Sequence, residues 1–89
     1  MTDARRARLG VLISGSGRTM VNLHERCALG ELEAEIVDVI ASKPCVGVDR
    51  ARAAGLPVEI VPGDIPAEVL VERVERIGID WLVLGGYLR

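Results

Sequence analysis

The residues best suited to chemistry in this chain are Gly15, Ser16, Gly17, Arg18 and Thr19. They stand between an uncharged aliphatic run, 9 to 13, and a segment with helical spacing. A strand, a glycine turn and a helix start in that order make an anion site, because backbone N–H groups and the positive end of the helix dipole converge there. Arg18 adds a cationic fork to such a site, and the Thr19 hydroxyl is placed either to bond the anion or to cap its own helix. Met20 stands where a third glycine would complete G-x-G-x-x-G. Asp38, the acidic residue about 20 positions on, falls inside the next strand rather than at its tip, so the dinucleotide fingerprint is incomplete. No Lys-Ser or Lys-Thr follows at Walker spacing. A compact phosphate or phosphosugar suits the loop better.

Elsewhere the chain offers little that catalyses. It has no Ser/His/Asp grouping, no carboxylate pair at the expected crevice and no metal-ligand set, so no catalytic residue and no metal site is nominated. His24 is the single histidine, expected on a helix surface four residues after Met20. Cys27 and Cys45 are too far apart for a C-x-x-C pair and are expected as reduced thiols. Asp80 precedes the last strand, at the end of the sheet opposite the loop.

Something must position the loop, and composition says what it is built from. Of 89 residues, 49% are hydrophobic and only 2% aromatic, so the core consists of Val, Leu, Ile and Ala, as in a parallel sheet under helices. A net charge of −2 excludes a nucleic-acid polymer as the expected partner, which would demand a basic face. The cluster Arg5, Arg6 and Arg8 is expected to solubilise a frayed terminus. No apolar run reaches the ~18 residues of a membrane span, and no signal-type segment follows the arginines, so a cytoplasmic protein is expected.

Hydrophobic periodicity then orders the elements. After a strand at 9–13, helical spacing of Met20, Leu23, Cys27 and Ala28 predicts a helix over 18–29, stopped by Gly30. A β-branched run interrupted by Asp38 predicts a strand over 34–41. A short helix is expected over 47–54, with Gly55 past its end, and a third strand over 56–61 between Pro57 and Pro62. Asp64 is placed to cap a third helix with Pro66 in its first turn. Val69, Leu70, Val74 and Ile77 form its apolar stripe, and Glu68, Glu72, Arg73, Glu75 and Arg76 are assigned to solvent. Gly78 ends that helix, and 81–85 form a fourth strand. The order βαβαβαβ with right-handed crossovers gives a parallel sheet with helices on both faces; with the chain winding outward from the first strand, reversing and placing the fourth strand on its other side, the expected fold is a Rossmann-like α/β half-domain with a four-stranded sheet of order 3-2-1-4. Its switch point lies between strands one and four, where the loop and the stretch from Gly85 to Arg89 would meet.

Three ordered blocks carry a resemblance. Val11-Leu12-Ile13-Ser14-Gly15-Ser16-Gly17-Arg18-Thr19 is one. Ile40-Ala41-Ser42-Lys43, followed by Gly47-Val48-Asp49-Arg50-Ala51-Arg52-Ala53-Ala54-Gly55, is the second, and 80–89 the third. Together they resemble the amino-terminal half of the phosphoribosylglycinamide formyltransferases, which move a formyl group from 10-formyltetrahydrofolate to glycinamide ribonucleotide in purine synthesis. The resemblance implies that residues 1–89 form a single nucleotide-binding half-domain. It implies that Gly17, Arg18 and Thr19 hold the ribonucleotide phosphate, within the loop from Gly15, and that Leu88 and Arg89 begin the folate side of the cleft. It implies 10-formyltetrahydrofolate as a co-substrate of the family and no tightly bound cofactor. The family often has Ser then Asn at the positions of Arg18 and Thr19. Its Arg-containing segment with an aromatic is replaced here by Gly63-Asp64-Ile65-Pro66. The family's catalytic Asn, His and Asp lie beyond the fourth strand and match no position here.

The reading that follows is a truncated formyltransferase-like half-domain that binds phosphate and is inactive alone. Two alternatives accompany it. One is a stand-alone Rossmann-type nucleotide-binding or regulatory module, with Ser42 and Lys43 approaching a ribose phosphate; the other is a folding fragment without a ligand. A fourth strand lacking a neighbour is further expected to pair, or to exchange elements, with a second copy in a homodimer.

Overall fold

The computed structural model describes residues 6–63 and 65–85. The chain alternates β1 (Ala7–Ile13), α1 (Arg18–Ala28), β2 (Ala34–Ala41), α2 (Val46–Ala53), β3 (Val58–Ile60), α3 (Ala67–Ile77) and β4 (Trp81–Leu84). The strands form one sheet of order β3-β2-β1-β4, with every pairing parallel. Each expected element is present, and the expected order is the observed one. β1 begins two residues earlier than the apolar run because Ala7 and Arg8 pair with Ala34 and Glu35. β3 keeps only three of the six residues expected, consistent with a strand that starts after Pro57 and stops before Pro62.

Alternation along β1 sorts the sheet into two faces. Leu9, Val11 and Ile13 join Met20 and Cys27 of α1, and Val48 and Ala51 of α2, in the main aliphatic core. Gly10 and Leu12 point the other way, toward α3. An added Cβ at Gly10 would lie 3.0 Å from Ile79 Cδ1 and 3.1 Å from Leu82 Cδ2, so the missing side chain admits both.

On β2 the alternation slips. Leu9 pairs with Ile36, but Gly10 pairs with Asp38, leaving Val37 as the extra residue of a β-bulge. Ile36 before the bulge and Val39 and Ala41 after it therefore all face α1 and α2. Asp38 is turned onto the α3 face, where it is 2% exposed.

That turn explains a correction. Arg73, expected at the solvent face of α3, is buried. Its Nε and Nη2 donate to the two Asp38 carboxylate oxygens at 2.7 and 2.8 Å, and its Nη1 donates to Glu59 on β3. A carboxylate buried in a sheet demands a cationic partner, and Arg73 lies where α3 crosses β2. The hydrogen bonds that Arg73 donates to Asp38 hold its guanidinium above the ordinary arginine value, against the opposing effect of burial. The pair Glu72–Arg76 does lie at the surface as expected, 2.7 Å apart.

Two ends of α3 also differ from expectation. Pro66 occupies the N-cap position rather than the first turn, and Asp64 lies outside the described residues. At the other end Gly78 closes the helix with φ of 81°. The Arg8 guanidinium donates to the carbonyls of Gly78 at 3.0 Å and Ile77 at 2.8 Å. Arg8 is thus a strand residue that caps a helix, not part of a frayed terminus; Arg5 lies outside the described residues.

Candidate functional site

The glycine loop, 14–17, leaves β1 at the carboxyl end of the sheet, and its shape is set by a contact between two glycines. Gly17 is the N-cap of α1 and adopts φ 75°, ψ 22°, a left-handed conformation that side chains disfavour. A Cβ there would lie 2.8 Å from the Gly47 Cα. Gly47, in the first turn of α2, donates its N–H to the Gly15 carbonyl at 2.9 Å, and a Cβ on it would lie 2.8 Å from that same oxygen and 2.7 Å from Ile13 Cδ1. Only glycine fits at both positions. The amino ends of two helices, α1 and α2, are therefore drawn onto one loop.

Around that contact the site is open. Gly15, Ser16, Arg18 and Thr19 are exposed, and Gly17 is buried beneath them. No side chain caps α1, and its first turn holds no acidic residue, so Thr19 is not the helix cap. The Ser42 N–H donates to the Ile13 carbonyl at 3.1 Å, which brings the start of the β2–α2 connection alongside the loop, with Lys43 exposed and Cys45 half-buried in it. On the other side the Gly85 N–H donates to the Leu12 carbonyl at 2.8 Å, and a Cβ on Gly85 would lie 3.5 Å from Thr19 Cβ. The end of β4 and the loop thus meet at the switch point. Leu88 and Arg89, expected on the folate side, lie outside the described residues.

Sequence reasoning placed Gly47 at a helix start and missed its part in the loop. The available signal was a glycine just after Pro44 and Cys45, where an ordinary helix start has no need of one. Asp80 lies as expected at the opposite end of the sheet, where its carboxylate accepts the Arg8 N–H at 2.9 Å. His24 is half-buried on α1. It lines a groove of about 450 Å³ with Met20, Val21, Arg50 and Leu56, between α1 and the end of α2. Among the described residues no three His, Cys, Asp or Glu side chains gather as metal ligands. None of their helices is long and apolar enough to cross a membrane.

The same fold is found in known proteins. The chain is 33% identical to the chloroplastic phosphoribosylglycinamide formyltransferase of Arabidopsis thaliana, over 98% of its own length and 32% of that protein. It superposes on glycinamide ribonucleotide transformylase 1 from Symbiobacterium toebii with a TM-score of 0.84 and 30% identity, over 98% of this chain and 44% of that one. The chain is homologous to part of the phosphoribosylglycinamide formyltransferases. It spans about a third to a half of the length of these relatives. A formyltetrahydrofolate deformylase from Pseudomonas putida shares the fold with a TM-score of 0.86 at 18% identity. No family model matches the sequence. Relative to the formyltransferases, the described residues form the four-stranded parallel sheet with its helices and the loop at its switch point.

Proposed function

We propose that this chain is the nucleotide-binding portion of a formyltransferase-like fold, and that the loop formed by Gly15, Ser16, Gly17, Arg18 and Thr19 holds the phosphate of glycinamide ribonucleotide. The observation that carries this reading is the Gly17–Gly47 contact, which turns the amino ends of α1 and α2 toward one exposed loop. Anions bind at such ends because backbone N–H groups point outward along the positive end of the helix dipole. Arg18 beside the loop supplies the charge-assisted donor. The setting in this reading is the cytoplasm, and 10-formyltetrahydrofolate is the co-substrate of the formyltransferase as a whole.

Chemistry is a different matter. Formyl transfer needs a proton shuttle and a donor for the oxyanion of the tetrahedral intermediate. Among the described residues no Asn, His or Asp is assigned to either role: Asp38 and Asp80 serve the fold, Asp49 sits in the first turn of α2, Asn22 is exposed on α1, and His24 faces the α1–α2 groove. The chain on its own binds the ribonucleotide and does not transfer the formyl group.

Titration of the isotopically labelled chain with inorganic phosphate, glycinamide ribonucleotide and NADP tests both parts. The ribonucleotide is expected to bind most tightly and to shift the backbone amides of Gly15 to Thr19. A preference for NADP, with shifts spreading to Ser42 and Lys43, would favour the nucleotide-binding regulatory module instead. No shift with any of the three would leave only a structural role. Incubation with formyl donor and ribonucleotide is expected to give no product above background, and clear turnover would overturn the claim of inactivity.

A further inference from the structure

Gly47 is a glycine that its own helix does not require. It stands in the first turn of α2 and is not among the glycines with positive φ. Alanine is favoured over glycine in a helix by about 1 kcal/mol, so α2 by itself would be better served by a side chain there. The reason for the glycine lies outside the helix. A Cβ would meet Ile13 Cδ1 at 2.7 Å, the Gly15 carbonyl oxygen at 2.8 Å and Gly17 Cα at 3.2 Å. The first is the end of a side chain, which can turn aside. The Gly15 oxygen is backbone, and it moves only with its peptide.

That peptide is what Gly47 controls. The Gly47 N–H donates to the Gly15 carbonyl at 2.9 Å, so this carbonyl is aimed inward at a buried residue. In a planar trans peptide the carbonyl and the following N–H point in opposite directions. The Ser16 N–H is therefore directed away from Gly47, to the side of the loop on which Gly15 and Ser16 are exposed. Turned over, the same peptide would present a carbonyl oxygen on that side, and an anion would be repelled rather than bound.

We propose that Gly47 is a positioning residue for anion binding: from α2 it holds the Gly15–Ser16 peptide with its carbonyl inward, and so makes the Ser16 N–H a donor to phosphate. This inference rests on the reading of the loop as the phosphate site. Gly47 does not itself bind the anion, because its own N–H is engaged by the Gly15 carbonyl. It supports the orientation twice, by the hydrogen bond that holds the carbonyl in and by the missing side chain that leaves it room. A donor fixed in this way before the ligand arrives binds more tightly than one that must be ordered on binding.

Amide spectra of the unsubstituted chain, titrated with inorganic phosphate and with glycinamide ribonucleotide, give the first test. Ser16 is expected to show the largest amide shift of the loop, and a Ser16 amide that stays in place while its neighbours move overturns the proposal. Gly47→Ala is expected to weaken both ligands by about tenfold or more. Disturbed packing would weaken them as well, so two further variants separate the causes. Ile13→Val combined with Gly47→Ala removes the Cδ1 clash and leaves the Gly15 oxygen crowded. The pair is expected to regain stability over Gly47→Ala in denaturant titration and still to bind as weakly. Arg8→Ala disturbs the opposite end of the sheet and is expected to bind as tightly as the unsubstituted chain. Unchanged affinity in Gly47→Ala overturns the proposal, as does an affinity that recovers with stability in the double variant, or an equal loss in Arg8→Ala. Each of these outcomes leaves the phosphate reading standing. An unsubstituted chain that binds neither ligand removes that reading, and this inference with it.

Discussion

Two residues carry more of this molecule than their types announce. Gly17 holds a left-handed conformation and touches the Gly47 backbone, so Gly17→Ala adds strain and a clash at one point. The expected cost is about 1–3 kcal/mol by denaturant titration, with loss of the amide shifts that the ribonucleotide causes in the loop. Arg73 is the other. Removing it as Arg73→Ala leaves the Asp38 carboxyl, 2% exposed, without its guanidinium partner, and is expected to cost ~3–5 kcal/mol. The double variant Asp38→Val with Arg73→Met replaces both ends of the pair by apolar groups and should be less destabilising than Arg73→Ala alone, a comparison that equilibrium unfolding makes directly. A guanidinium held above its usual value keeps its charge at every pH where the fold persists: its contribution is complete below the ordinary arginine value and fades only above it. The charge pattern of α3 hid this residue, since Glu72, Glu75 and Arg76 around it do face water. The legible clue lay in β2, where Asp38 amid Ile36, Val37, Val39 and Ile40 required a partner that periodicity does not name.

At the scale of elements, α3 is fastened by polar contacts more than by its apolar stripe. Val69, Leu70, Val74 and Ile77 are only half-buried, and Arg73 is the one residue of the helix that is fully covered. Arg8 grips the far end through the carbonyls of Ile77 and Gly78. Cations at helix carboxyl ends stabilise by ~0.3–1 kcal/mol, and by up to ~2 kcal/mol when partly buried, so Arg8→Ala is expected to cost about 1–2 kcal/mol. Hydrogen exchange should locate the loss in the last turn of α3 and leave α1 and α2 protected. The number, kind and order of the elements were readable because β-branched runs and helical spacing alternate cleanly from residue 9 to residue 84. β2 was bounded to the residue. The bonds that tie α3 down were not readable, because Arg8 and Arg73 act across the sheet at sequence distances no local pattern spans.

The described residues form one parallel sheet in which β3, short, charged at Glu59 and flanked by Pro57 and Pro62, lies outermost beside β2. Crossover handedness left the strand order open, and 3-2-1-4 followed only with a reversal of direction after the third strand. The bulge at Val37 has a consequence at this scale too. Along β2 the inside and the outside of the molecule exchange parity at a single peptide, so the strand is written in two phases, one before Val37 and one after it. Deleting that residue would merge the two phases into one: Ile36, Asp38 and Val39 would alternate regularly opposite Leu9, Gly10 and Val11, with Asp38 kept on the α3 face and Val39 kept in the aliphatic core.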